Sequence, residues 1–147
     1  MDSRFMSRAI ELARVGGGQG EIPVGAVIVK NGVIIGEGRN LREAQNRALS
    51  HAETEAIEAA NKTLGDWRLD GCSLYVTLEP CLMCAGAIAA ARISEVVFGA
   101  YDSERGYIVS RADINRLAGS KITVFGGIKE DECKQLLDEF FKNIRQE

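Results

Sequence analysis

The chain has 147 residues, 46% hydrophobic and 27% charged, with a net charge of −3. That size and mix predict one domain, residues 1–147, with a substantial core, and the acidic balance argues against a protein that holds nucleic acid by charge alone. No basic segment leads into an unbroken apolar run at the start, and no apolar stretch could cross a bilayer, so a cytoplasmic protein with no membrane partner is expected.

Asp2 and Ser3 can cap a helix in which Phe5, Ala9, Leu12 and Ala13 recur at helical spacing, and Gly16-Gly17-Gly18 ends it. Val24 to Lys30 and Val33 to Gly38 flank Asn31-Gly32, the pattern of a β-hairpin. The polar segment from Arg39 to Ser50 reads as a loop. From His51, HAETEAIEAANK has the alanine and glutamate content of a helix. Ser73 to Leu78 is a strand. CLMCAGAIAAA, from Cys81, is a second helix, with Pro80 at its start, where a missing N–H costs nothing. Glu95 to Ala100 is a third core strand, Tyr101 to Ser120 has weak periodicity, and Lys121 to Phe125 is a last strand. A helix from near Glu130 places Cys133, Leu136, Leu137, Phe140, Phe141 and Ile144 on one face. The order combines a hairpin with strand–helix–strand crossovers. It predicts an α/β fold, a three-layer α/β/α sandwich around a central mixed five-stranded sheet.

The chain holds four cysteines and one histidine, and two of the cysteines fall in TLEPCLMCAGAI, Thr77 to Ile88. In a reducing compartment such a pair binds metal or does chemistry more often than it forms a disulfide. Cys81 and Cys84, at a helix start, share one face, and the helix N-terminus favours their thiolates. A catalytic zinc takes three protein ligands and keeps one position for water. The sole histidine, His51, is the remaining soft ligand. Glu53 follows two residues later, and residues so spaced on a regular helix do not face each other. They can meet at one metal only if His51 lies at the very end of its helix, and Ser50 is a plausible N-cap. Zinc lowers the pKa of bound water from about 15.7 to about 7, and Glu53, near the metal without binding it, is the candidate general base and acid. HAE with PCxxC is the signature of zinc-dependent deaminases, in which water displaces ammonia from a base ring carbon. A closed structural zinc site needs no free carboxylate, so Glu53 argues for catalysis.

The remaining features read as structure. Cys72 and Cys133 are expected to be buried and inert, and Trp67 and the tyrosines to be packing. Seven of the twelve arginines fall in two groups: Arg39, Arg42 and Arg47, then Arg92, Arg105, Arg111 and Arg116. The second group is matched by Asp102, Glu104 and Asp113 and is no simple basic patch.

EIPVGAVIV (Glu21 to Val29), GEGRN (Gly36 to Asn40), HAETEAI (His51 to Ile57), WRLDGCSLYVTLEPCLMCAGAI (Trp67 to Ile88) and RISEVVFGA (Arg92 to Ala100) resemble the bacterial tRNA-specific adenosine deaminases. DECKQLLDEFFKNIR in the last helix is similar too. The resemblance implies a cytidine-deaminase-like fold, a homodimer and one Zn2+ per subunit. It implies conversion of adenosine to inosine at the wobble position of an arginine tRNA, with the anticodon stem-loop as partner. His51, Cys81 and Cys84 would hold zinc and Glu53 would shuttle protons. Asn40 would hydrogen-bond the base, the backbone around Ala52, Pro80 and Cys81 would line the pocket, Val24 would wall the ring, and Asp102 would lie beside the nucleotide's sugar and backbone.

Two departures bear on the substrate. The family usually reads Asp-Pro-Thr-Ala-His-Ala-Glu where this chain has Arg47 to Glu53, RALSHAE. It typically carries a Gly-Ser-Leu segment and later an Asn-His pair where this chain has YDSERGYIVSRADINRLAGS and no second histidine. Two other readings stay open. One is a relative that deaminates a free base or nucleoside of guanine, cytosine or adenine type. The other is a non-catalytic zinc-containing subunit that helps a partner bind RNA, against which Glu53 counts.

Overall fold

The structure, a computed structural model, describes residues 1–145. Its elements in chain order are α1 (Ser3–Gly17), β1 (Gly25–Lys30), β2 (Val33–Arg39), α2 (Arg42–Gln45), α3 (Ala52–Leu64), β3 (Ser73–Leu78), α4 (Leu82–Ala90), β4 (Glu95–Ala100), α5 (Ile114–Ala118), β5 (Thr123–Phe125) and α6 (Glu130–Arg145). Asp2 caps α1 by accepting from the Arg4 N–H. Asn31 and Gly32 take φ of +52° and +76°, the left-handed pair that a tight hairpin turn between β1 and β2 demands.

The strands lie in the order β2-β1-β3-β4-β5. β1 runs antiparallel to both β2 and β3, while β3, β4 and β5 are parallel. The sheet is therefore mixed, as the sequence predicts: the hairpin supplies one antiparallel pair, β1 beside β3 the other, and the connections through α4 and α5 supply the parallel ones. Side chains alternate across β1. Ala26 and Ile28 meet Ala56 and Ile57 of α3, Ile88 of α4 and Ile114 of α5 on one face. Val27 and Val29 meet Met6 and Ile10 of α1 and Cys133 of α6 on the other. The sheet is the middle of three layers, and every strand of its centre is buried on both faces.

Two glycines of β2 bring α3 down onto the strand. A Cβ at Gly36 would run into the Ala56 carbonyl, and one at Gly38 into the Ala52 carbonyl. The helix backbone thus rests on the strand backbone, which fixes where the helix begins and where residues 51–53 stand.

Short elements depart from the sequence expectation. The Arg39 to Ser50 loop contains α2, one turn ended by Asn46 at φ +50°, and the weakly periodic segment contains α5. Neither is long enough to show a period. The last strand is Thr123–Phe125 only. On α6 Cys133 is buried as expected, but Phe141 and Ile144 are 41% and 51% exposed, because the covering of this helix ends near Leu137. No described helix is long and apolar enough to cross a membrane.

Candidate metal centre

Two helix starts converge at one point. His51 is the N-cap of α3, with extended backbone angles of φ −96° and ψ 161°. Cys81 is the N-cap of α4, and Cys84 lies within its first turn. His51 therefore does sit at the very end of its helix, as its pairing with Glu53 requires. The cap is His51 itself and not Ser50, whose hydroxyl donates instead to Glu55 Oε1 at 2.8 Å. The His51 N–H donates both to the Leu49 carbonyl at 3.0 Å and to Thr54 Oγ1 at 3.1 Å.

His51 Nδ1 lies 3.6 Å from Cys81 Sγ and 3.5 Å from Cys84 Sγ, and the three atoms all fall within 4.8 Å of one another. Zinc bonds of about 2.3 Å to sulfur and about 2.05 Å to nitrogen, at the tetrahedral angle, place an S and an N ligand about 3.6 Å apart. The observed separations match that figure, so the donor set fits zinc with Nδ1 as the histidine ligand.

The electrostatics suit the same purpose. A hydrogen bond from Cys84 pulls the Cys81 thiol down to about 3 against the opposing effect of burial, and His51 adds to the pull. Cys84 is pushed up by the Cys81 sulfur and by burial. Negative charge is thus favoured at Cys81, the α4 N-cap, where the helix dipole also favours it. His51 is raised, chiefly by its bond to Cys81. Glu53 is 4% exposed, and burial lifts its carboxyl to about 7. Its carboxyl interacts electrostatically with His51 and Cys81 and bears on the Cys84 thiol, so it stands beside the metal position. A carboxyl near neutrality is populated both as base and as acid.

The other expected residues make local contacts of their own. Asn40 is 8% exposed and spans two backbone groups: its Nδ2 donates to the Ile22 carbonyl at 3.0 Å, and its Oδ1 accepts the Ala52 N–H at 2.8 Å. It is thereby tied to the residue after His51. Val24, Ala52 and Pro80 are buried, Pro80 directly before Cys81. Asp102 Oδ1 accepts from the Glu104 and Arg105 N–H groups at 3.1 and 3.0 Å, which turns the chain after β4.

Two buried carboxylates were not singled out by sequence. Glu21, 2% exposed, accepts from the Glu43 and Ala44 N–H groups at 3.1 and 2.9 Å and pins α2. Glu79, also 2% exposed, accepts from the N–H groups of Asp102, Ile108, Val109 and Ser110 and from the Ser110 hydroxyl. Burial alone would raise its carboxyl, but the hydrogen bonds from Ser110, Val109 and Asp102 outweigh it and hold it below the usual range. The available signal was an acid inside an apolar stretch, EIPVGAV and YVTLEPC, since a buried charge requires donors around it.

Among the arginines, Arg42 donates to the Ala48 carbonyl at 3.0 Å and Arg47 pairs with Glu55 at 3.1 Å, both on the exposed segment that ends at His51. Arg92 and Arg68 lie over the Trp67 ring at 5.7 and 5.4 Å, so Arg92 belongs to that contact rather than to a patch with Arg105 to Arg116. Cys72 and Cys133 are free and buried, as expected, and burial pushes the Cys133 thiol up to about 12.

Residues 1–100 match the family model described as the cytidine and deoxycytidylate deaminase zinc-binding region. A tRNA-specific adenosine deaminase of Bacillus subtilis (strain 168) is 44% identical over 149 residues, covering 99% of this chain and 91% of that one. A solved structure from a study of A-to-I editing by tRNA:A34 deaminases superposes with a TM-score of 0.90 at 38% identity, covering 92% of this chain and all of its own. The guanine deaminase of Bacillus subtilis superposes with a TM-score of 0.66 at 47% identity, covering 69% of this chain and 66% of its own.

Proposed function

The chain belongs to the cytidine and deoxycytidylate deaminase zinc-binding family, and on that premise we propose that it converts adenosine to inosine at the wobble position of a tRNA anticodon. It is a zinc-dependent hydrolytic deaminase. The observation that carries the substrate is likeness along nearly the whole chain to a relative with that named activity, where the guanine deaminase aligns over 69%. A cytoplasmic location follows from this substrate.

His51, Cys81 and Cys84 hold the metal. Zinc bound there supplies activated water at neutral pH. Glu53 accepts a proton as carboxylate and, as carboxylic acid, returns one to the departing ammonia; with its carboxyl near 7 neither direction is strongly uphill. Burial of Glu53 excludes bulk water from that exchange. Val24 and Ala52 form the apolar side of the pocket, with the backbone at Pro80 and Cys81 opposite. Asn40 presents its second amide hydrogen to the base, held in place by Ile22 and Ala52. Asp102 faces the nucleotide's sugar and backbone. Arg42 and Arg47, exposed on the segment leading into His51, meet phosphates.

The active form is a homodimer. On α4, Leu82, Gly86 and Ala90 are exposed at successive four-residue steps, which places them on one face. Leu82 is 54% exposed, and a Cβ at Gly86 would meet nothing. This open apolar face suits a second copy, and Leu82→Asp is expected to convert a dimer to a monomer in light scattering.

The function is tested by ammonia release from an arginine tRNA anticodon stem-loop beside guanine, cytosine, adenine and their nucleosides. Turnover of the stem-loop alone supports the proposal. Turnover of guanine alone would transfer the chain to the second reading, which its likeness to the guanine deaminase favours. No ammonia from any substrate would leave only a non-catalytic zinc subunit.

A further inference from the structure

Glu79 touches neither the metal ligands' donor atoms nor Glu53 by any hydrogen bond among the described residues, yet it is among the most heavily hydrogen-bonded side chains in the structure. β3 and β4 run parallel with Leu78 opposite Ala100. The α4 helix start, with Cys81, and the segment after Ala100 consequently leave the sheet at the same edge, the carboxyl end where α/β sheets hold ligands. From Asp102 to Ser110 the chain then folds around the Glu79 carboxylate. The N–H groups of Asp102, Ile108, Val109 and Ser110 reach it at 3.1, 3.2, 2.9 and 2.9 Å, and the Ser110 hydroxyl donates to it as well. Successive inward amides of this kind make a concave anion cradle, and here the anion is a side chain of the protein itself.

The neighbouring residue closes the connection to the site. The Tyr107 N–H donates to the Pro80 carbonyl at 2.9 Å, so the loop rests on the residue between Glu79 and Cys81. Gly106 packs directly on the carboxylate, where a Cβ would run into Glu79 Cδ. Between β4 and α5 the loop has no helix or strand to hold it, and Ile108 is its one fully buried large side chain. Tyr101 and Val109 are 49% and 47% exposed at the same edge.

We propose that Glu79 is a positioning residue: its carboxylate fixes the loop from Asp102 to Ser110 as one wall of the substrate entrance, and through that wall sets how tightly substrate is held. The carboxylate acts on binding and leaves the chemistry to Glu53. This inference rests on the deaminase reading, and it does not depend on which base is deaminated.

Glu79→Gln keeps the size of the side chain and turns one acceptor into a donor that faces N–H groups. Gly106→Ala disturbs the same contact from the other side. With the substrate that the wild type deaminates fastest, each variant should retain zinc and raise KM, by roughly tenfold for Glu79→Gln, the factor expected for losing one charge-assisted hydrogen bond. Their kcat should stay within about twofold, the split that marks lost binding rather than lost transition-state contact. Amide exchange at Ile108, Val109 and Ser110 should quicken in both. Loss of zinc, an unchanged KM, or a fall in kcat with KM constant would overturn the inference and leave Glu79 a purely structural residue. Failure of the tRNA reading shows in the wild type's choice of substrate, whereas failure of this inference shows only in the ratio of variant to wild type.

Discussion

Asn40→Ala should destabilise the protein and loosen the metal centre at once. The side chain satisfies the Ala52 N–H and the Ile22 carbonyl at 2.8 and 3.0 Å. Ala52 is fully buried, so its N–H would be left without a partner, at a cost of about 1–3 kcal/mol. The Ile22 carbonyl still accepts from the Val24 N–H at 2.9 Å, so that half of the loss is smaller, about 0.5 kcal/mol. A total of about 1.5–3.5 kcal/mol corresponds to a fall in melting temperature of roughly 5–14 °C for a chain of this size. Because the freed N–H follows His51 directly, zinc affinity should fall as well. Asn40→Asp keeps the acceptor for Ala52 but loses the donor to Ile22, so it should recover part of the stability. The assay is thermal unfolding by circular dichroism of the zinc-loaded proteins, with zinc affinity from competition against a chromophoric chelator. Asn40→Ala melting within a degree of wild type, with zinc affinity unchanged, would refute the bracing role and leave Asn40 only a contact to the base.

Gly38→Ala should cost about 1–3 kcal/mol, because the added methyl meets the α3 backbone, including Ala56 N at 2.6 Å, and helix and strand must separate. Its zinc affinity should fall because His51 moves with α3, and chelator competition would show the reasoning wrong if affinity stayed the same. Chelation should lower the melting temperature of wild type: zinc at a hundred times its dissociation constant contributes about 2.7 kcal/mol, or roughly 8–10 °C. Cys84→Ser, lacking a ligand, should melt at the same temperature with and without zinc. Arg8 holds Glu37 by two hydrogen bonds, at 2.6 and 3.0 Å, and these keep the Glu37 carboxyl below its usual 4.5. A depressed carboxyl stabilises the fold above about pH 4.5 and loses that contribution as pH falls. Both side chains are over a third exposed, so the pair is worth under about 1 kcal/mol. Arg8→Met should therefore lower stability in urea at pH 7, and by progressively less as the pH falls below 4.5; an equal loss at every pH would assign the effect to packing.

The layered fold was legible because its long elements carry their own periods. Asn31-Gly32 announced the hairpin, and the apolar runs of β1, β3 and β4 announced a sheet covered on both faces. The His51, Cys81 and Cys84 cluster was legible for a different reason: with a single histidine, a candidate ligand set had few alternatives, and the requirement that His51 and Glu53 meet one metal placed His51 at the end of α3. The N-cap itself was misjudged, since a serine before a helix caps it only if its hydroxyl is not already used, and Ser50 donates to Glu55. Glu21 and Glu79 stayed hidden because each acts on amides more than twenty residues away, and no spacing rule reaches that far. The short helix α2 is held by such a distant contact, whereas α5 is capped by its own Asp113 and tied through Asn115 to Ser120 and Ile122. The bracing role of Asn40 was missed likewise, because its two partners lie eighteen residues before it and twelve after.

The proposed mechanism gives the proton transfer of deamination to Glu53, buried beside His51, Cys81 and Cys84. Inosine formation in the anticodon stem-loop by Glu53→Gln, compared with wild type at equal zinc content under single turnover, tests it most directly. The expected rate is lower by about 10²–10⁴ with zinc still bound. A Glu53→Gln protein that keeps its zinc and edits at the wild-type rate would contradict it.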